Sequence, residues 1–337
     1  MRGLVVTGPG EVELTDVPVV AAGPGQVVVA PRVVGVCGTD LDIVDATIDP
    51  AFVRYPVVLG HEWAGVVESV GPTAGDVVRV GDLVVVEGIV PCGGCPACLT
   101  GDTNRCETYD EFGFTRDGAA QDRVVAPRSL VHRLADGRGA EAGALVEPCA
   151  VVYRALARAG PAEGGRVLVV GDGTVALLVV HLVRLWSPAE VVMVGRRPEQ
   201  ADLAHRAGAD RFVTELAGPD TGFDLVIEAA GSAGASTMAI RAAARGAAVV
   251  LLGFPGPGVT LDVAVDDVVN ADLTIMGSFS YTSSAWRAVV DLLNAGRIDP
   301  TVVVTHRFPI ARWSDALATL RGDGVTGPRG KVLLTLD

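Results

Sequence analysis

The sequence predicts an α/β protein in two parts, a β-rich barrel-like domain and a doubly wound parallel sheet. Three observations carry that expectation. Short β-branched segments separated by Gly and Pro crowd the first part of the chain. After Glu147-Pro148, apolar strands and helical segments alternate. After Met276-Gly277 the pattern returns to a helix and short strands, so the parallel sheet reads as an insertion into a domain built from both ends. The expected division is 1–149 with 277–337 for the β-rich domain, and 150–276 for the parallel sheet.

In chain order, residues 4–6, 11–14, 26–30, 64–70 and 77–86 read as strands. Residues 150–159 have helical composition, and Gly164-Gly165 leads into a strand at 167–170. Helix 175–186, strand 191–194, helix 199–207, strand 223–228, helix 235–245 and strand 247–252 follow. A helix at 286–294 and a last strand from Lys331 close the pattern. No internal repeat or low-complexity tail is visible. At 337 residues, 49% of them hydrophobic, the chain is long enough for two cores. No apolar run reaches the roughly 18 residues needed to span a bilayer, and the first residues are too short for a signal peptide, so the expected location is the cytoplasm. A net charge of −13 argues against nucleic acid and reads as solubility.

The sharpest local signal is Cys92-Gly-Gly-Cys95-Pro-Ala-Cys98 with Cys106. Four thiolates at this spacing suit a closed tetrahedral Zn²⁺ in a lobe over 91–107, a site that holds a loop and does no chemistry. A second constellation differs in character. Cys37, His61 and Glu147 offer one S, one N and one O ligand, and three protein ligands with an open position describe a catalytic zinc. Glu62, beside His61, could ligate directly or hold a zinc-bound water.

The strand at 167–170 runs into Gly171-Asp-Gly173-Thr174-Val175-Ala176. Such a turn between a buried strand and an apolar helix suits a dinucleotide pyrophosphate, which predicts a Rossmann domain. The next strand ends in Gly195-Arg196-Arg197, where an NAD enzyme usually carries Asp or Glu. Gly195 removes the carboxylate that repels a 2′-phosphate, and two guanidiniums offer bonds to it, so NADP(H) is expected over NAD(H). The alternative is that both arginines simply open a solvated helix.

Together these motifs resemble the zinc-dependent medium-chain dehydrogenase/reductase family across essentially the whole chain. The Gly60-His61-Glu62 segment, the four-cysteine lobe, the Glu147-Pro148 segment and the late Rossmann insert stand in the family's order. The resemblance implies a GroES-like β domain beside the Rossmann domain, and a catalytic zinc on Cys37, His61 and Glu147 with Glu62 as an inner or water-mediated ligand. Glu147 in place of the alcohol dehydrogenases' Cys points to the polyol, sugar and threonine branch, and Cys149 is left to packing. It also implies that Thr39 passes on the substrate proton and that Asp40 orients the ligating His. Lys331 falls near the cofactor phosphates, and Leu252, Gly253, Phe254 and Met276 face the nicotinamide. Asp42 departs from the family, where many members place His at the solvent end of the proton relay.

Gly60-His-Glu-Trp63 and residues 111–118 also look like segments of aminocyclitol and polyol dehydrogenases of aminoglycoside biosynthesis. The second segment either lines the substrate cleft or is a loop leading into a strand. The implied activity is hydride transfer between a nicotinamide cofactor and a secondary alcohol or ketone of a polyol, sugar or (amino)cyclitol, in a homodimer or homotetramer. Rival readings are an NAD-dependent polyol or threonine enzyme, a silent nucleotide-binding relative, and a zinc-free reductase of the same fold.

Overall fold

A computed structural model describes residues 1–73, 78–218 and 220–336. The chain divides into two compact units. One comprises Met1–Glu147, Tyr281–Val325 and Lys331–Asp337, the other Pro148–Ser280 and Thr326–Gly330. This corrects the expected boundaries. Residues 277–280 and the pentapeptide Thr326–Gly330 pack with the second unit. Gln200 holds that pentapeptide from both sides, accepting the Arg329 N–H at 2.7 Å and donating to the Arg329 carbonyl at 2.8 Å.

The first unit is built on long β pairings. Strand Gln26–Val36 pairs antiparallel with Glu62–Val70, with Lys331–Thr335 and with Val124–Pro127. Strands Leu83–Val86 and Val131–Arg133 extend the sheet on one side and Val304–Pro309 on the other. A smaller sheet joins Glu11–Asp16, Arg2–Gly8 and Val57–Val58. Val27, Val29, Val34, Trp63, Val67, Val84 and Val332 fill one core between them. β-Branched residues suit such surfaces because their restricted χ1 fits a pleated, packed face.

The expected strand at 77–86 is shorter. Val77 lies outside the described residues, and residues 78–82 form a turn in which Asp82 accepts the Arg79 N–H at 2.7 Å. Only Leu83–Val86 is strand.

In the second unit six strands are all parallel. Their spatial order is Arg211–Val213, Glu190–Val194, Arg166–Val170, Phe223–Glu228, Ala243–Leu251, Thr274–Gly277. The order reverses beside Arg166–Val170, the position at which doubly wound sheets open a ligand crevice. Helix Thr174–Val183 follows that strand directly and is buried over most of its length. The expected helix 235–245 stops at Ala242, where the chain turns extended and strand Ala243–Leu251 begins. Alanine-rich sequence leaves that boundary to tertiary pairing. Among the described residues no helix is long and apolar enough to cross a membrane.

Candidate metal centres and dinucleotide site

Strand register assembles the first cluster. Gly35 stands opposite both Glu62 and Leu333, and Val36 opposite Val332, so the ends of three strands bring Cys37, His61-Glu62 and Lys331 to one place. Ligand atoms of Cys37, His61 and Glu62 all lie within 4.8 Å of one another. Asp40, in helix Gly38–Val44, accepts the Cys37 N–H at 2.8 Å with one oxygen and sets the other 3.5 Å from His61 Nδ1. That leaves His61 Nε2 toward Glu62, 4.0 Å from its carboxylate. The Phe114 ring covers the imidazole, with centroids 5.1 Å apart. Thr39 Oγ1 is 3.7 Å from the Cys37 sulfur.

Burial and charge oppose one another here. Burial pushes the His61 pKa down, but the Asp40 carboxylate and the Cys37 sulfur hold it well above its ordinary value. Glu147, second residue of helix Val146–Ala159, stands outside the three-residue cluster. It still feels its charge, because burial first and the neighbouring Glu62 second raise its pKa to about 8. Burial likewise raises Glu111 to about 7, with His61 pulling the other way. Glu111 ends the short pair Ile89–Val90 with Asp110–Glu111, and its carbonyl gathers the N–H groups of Phe114, Thr115 and Arg116. Residues 111–118 thus form a turn that places Phe114 over His61.

The donors fit a zinc ion. One S, one N and carboxylate O converge, with His61 and Glu62 buried and Cys37 half-buried. That donor set is one a divalent zinc ion accepts, and its charge would offset those a thiolate and a carboxylate bring. Lys331 corrects its expected role. Its ammonium is 1% exposed and ion-paired with Glu62, within the β-rich unit rather than open to a dinucleotide phosphate. Its pKa rises because Glu62, Cys37 and Asp40 outweigh burial.

The second cluster holds Cys92, Cys95, Cys98 and Cys106, whose sulfurs also lie within 4.8 Å of one another. Backbone N–H groups already point at sulfur, from Cys92 to Cys106 at 3.3 Å and from Cys95 to Cys92 at 3.4 Å. Such bonds, chiefly from the Gly94 and Cys95 N–H groups, lower the Cys92 pKa to about 6. Burial and neighbouring thiols push Cys98 up to about 12. Four crowded sulfurs of which not all can ionise suit one divalent cation. Cys149 is fully buried and belongs to neither cluster.

In the second unit Gly171 has φ +128, and Gly173 precedes helix Thr174–Val183 with open space where a Cβ would stand. Thr174 and Val175 are half-buried in its first turn. This cradle fits a pyrophosphate. The reading of Gly195 needs correction. A Cβ there would overlap the Asp172 side chain, so the carboxylate missing at 195 arrives instead from the glycine turn. Asp172 engages Arg197 three times: it accepts from Arg197 N at 3.0 Å and from Nη2 at 2.9 Å on the carboxylate, and again from Nη2 at 2.8 Å on its carbonyl. Arg196 is exposed and, among the described residues, has neither hydrogen bond nor ion pair.

Beyond strand Ala243–Leu251, Leu252 and Gly253 donate their N–H groups to the Glu228 carbonyl, and Phe254 is 77% exposed. The Glu228 carboxylate, buried at the end of its own strand, accepts the N–H groups of Ala230 and Gly231 at 2.8 and 2.7 Å. Asp172, Gln200 and Glu228 escape sequence reasoning. The one available signal was an acid placed where an apolar strand meets a glycine turn.

Residues 23–136 match the family model of the alcohol dehydrogenase GroES-like domain, and residues 174–295 that of zinc-binding dehydrogenase. An L-threonine 3-dehydrogenase of Saccharopolyspora erythraea is 33% identical over 99% of this chain and 98% of its own. Two solved structures share 26% identity. A zinc-binding dehydrogenase from Sinorhizobium meliloti 1021 bound to NADP has a TM-score of 0.92 and covers 99% of each chain. An Escherichia coli CFT073 protein described as a short chain alcohol dehydrogenase, complexed with NADH, has a TM-score of 0.91 and covers 100% and 99%.

Proposed function

The chain belongs to the zinc-dependent medium-chain dehydrogenase/reductase family of alcohol and polyol dehydrogenases, and from that premise we propose that it interconverts a secondary alcohol and its ketone on a polyol, sugar or aminocyclitol, with NADP(H) as partner. The observation that carries this reading is the buried convergence of Cys37, His61 and Glu62. We assign Cys37, His61 and Glu147 as ligands of a catalytic zinc with Glu62 beside them, and Cys92, Cys95, Cys98 and Cys106 as ligands of a structural one. When bound, the catalytic zinc supplies Lewis acidity toward the substrate oxygen and the dinucleotide exchanges a hydride.

The remaining work falls to side chains of this protein. Asp40 fixes the imidazole by facing Nδ1, as outer carboxylates do for metal-binding His. Phe114 walls the imidazole and keeps water from it. Thr39 takes the alcohol proton in oxidation and returns it in reduction. Asp42, where many relatives would carry an imidazole, accepts a hydrogen bond from the Thr47 hydroxyl at 3.0 Å. Gly171, Gly173, Thr174 and Val175 cradle the pyrophosphate, and Leu252, Gly253 and Phe254 border the nicotinamide. The preference for NADP(H) rests on Arg196, because Arg197 is engaged by Asp172. Within the substrate class, the likeness of 60–63 and 111–118 to aminocyclitol dehydrogenases favours a cyclitol of aminoglycoside-type biosynthesis.

A second reading, an NAD-dependent threonine-type dehydrogenase, is favoured by the 33% identical relative. We place the protein in the cytoplasm as a homodimer or homotetramer. Support for self-association comes from the outer strand Thr274–Gly277, which ends the parallel sheet with Ile275 exposed and with exposed Val265 and Val269 preceding it. The test is a screen of polyols, sugars, cyclitols, their ketones and L-threonine with both cofactors, run on parent and His61→Ala proteins with zinc counted. Turnover in the parent with two zincs per chain, lost in His61→Ala, is expected. Turnover that survives both the substitution and chelation overturns the reading, and activity on L-threonine with NAD alone installs the second one.

A further inference from the structure

Asp172 is the feature of the dinucleotide site that no strand-end rule foresees. In doubly wound sheets the pyrophosphate lies on the first glycine turn, and the adenosine ribose lies at the end of the second strand. Here that strand is Glu190–Val194. An acid at its end accepts the ribose 2′-hydroxyl, and its loss usually opens room for a 2′-phosphate. In this chain the strand ends in Gly195, and the space where a side chain would stand is filled by Asp172, reaching across from the turn. Its carboxylate is 14% exposed and the guanidinium of Arg197 is 23% exposed. One oxygen takes the Arg197 N–H and the other takes Nη2. The Asp172 carbonyl is fixed as well, by Nη2 and by the fully buried Gln200, whose Nε2 donates at 2.6 Å. Turn, strand end and pentapeptide Thr326–Gly330 are therefore locked into one network.

We propose that Asp172 is the specificity-determining residue that sets the discrimination between the 2′-hydroxyl and the 2′-phosphate of the dinucleotide, by withholding Arg197 from the phosphate and so leaving Arg196 alone to favour it. The inference rests on the dinucleotide site proposed above. Three charged groups, Asp172, Arg196 and Arg197, stand at the ribose end of that site. The Asp172–Arg197 pair is internally neutral, so Arg196 alone is left to favour a phosphate. A planar guanidinium already held by a carboxylate has its fork occupied and its charge compensated. Removing the carboxylate's charge therefore releases a phosphate ligand. Removing the guanidinium does the reverse, because it leaves an unpaired carboxylate beside the ribose, able to accept the 2′-hydroxyl and to repel a phosphate.

The experiment is calorimetric titration of NADP⁺ and of NAD⁺ into the zinc-loaded full chain, for the parent, Asp172→Asn, Arg197→Ala and the double variant, each first checked by thermal melting. Asparagine keeps one acceptor, for the Arg197 N–H, while it removes the charge and the oxygen that takes Nη2. The expected result is that Asp172→Asn raises the affinity for NADP⁺ relative to NAD⁺ about tenfold, the scale of one charge-assisted hydrogen bond. Arg197→Ala should lower the same ratio by about tenfold. The double variant should lose the gain of Asp172→Asn, since the two effects act through one pair. A ratio unchanged within about twofold in both single variants, or equal losses for both dinucleotides, overturns the inference and leaves Asp172 a structural clasp. A parent that binds neither dinucleotide overturns the cofactor reading itself, and the parent titration alone separates the two failures.

Discussion

Asp40 serves two masters with two oxygens. One anchors the Cys37 N–H and the other faces His61 Nδ1, so a single carboxylate positions both a sulfur and a nitrogen donor. Removing its charge should therefore loosen the ion more than it disturbs the fold. Asp40→Asn is expected to lower zinc affinity at this cluster by about 10- to 100-fold, the usual cost of losing an outer partner, as read by chelator competition. Glu147 supplies a pH signature for the metal-stripped protein. Its carboxyl ionises near 4.5 when unfolded and near 8 in the fold, so the native state binds the extra proton in between. Stability of the stripped protein should fall as pH rises through that window, and Glu147→Gln should flatten the fall in denaturant titrations. The side chains of the two clusters were readable in the sequence as candidates, because metal chemistry restricts the residue types. Lys331 and Asp172 were not. Their roles depend on partners 269 and 25 positions away, Glu62 and Arg197, which only the register of strands and the reach of a turn bring close.

The cysteine lobe is an element with little else to hold it. Its helices, Pro96–Leu99 and the 3-10 turn Thr103–Arg105, are four and three residues long, and of its four sulfurs only that of Cys106 belongs to a buried residue. Cys95→Ser should lower the melting temperature by several degrees and halve the zinc count, with the Cys37 cluster still loaded. Calorimetry and metal analysis on one sample check both. Undiminished stability with two zincs retained would remove the lobe from the metal-binding elements. Elements with strong periodicity, such as helix Ser283–Asn294 and strand Arg166–Val170, were evident from pattern alone. The junction at Ala242-Ala243 was not, since alanine suits a helix and here begins a strand by pairing beside Phe223–Glu228.

Across the whole molecule the outer strand Thr274–Gly277 leaves one margin of the parallel sheet unpaired, with Ile275 exposed. Ile275→Lys should shift the sedimentation profile toward monomer while the thermal melt stays close to the parent's, because edge lysines block strand addition without touching a core. A profile unchanged by the substitution would move self-association to another face. Composition showed that a parallel sheet interrupts a β domain. It gave no hint that Thr326–Gly330 returns to the inserted unit, since that contact is made by the backbone of Arg329 and one glutamine.

The placement of Lys331–Thr335 has a consequence for how the protein is made. That strand is the only described bridge between Gln26–Val36 and Val304–Pro309, and it follows both of them in the sequence. Nascent Gln26–Val36 therefore waits for this partner while all the residues between them are synthesised. The intervening residues 148–280, with all six of their strands in hand, can organise long before it. In the emerging chain the later-encoded parallel-sheet unit has its strands first, and the unit that carries Cys37 and His61 keeps an open seam, a natural client for chaperones, until Lys331–Thr335 has been made.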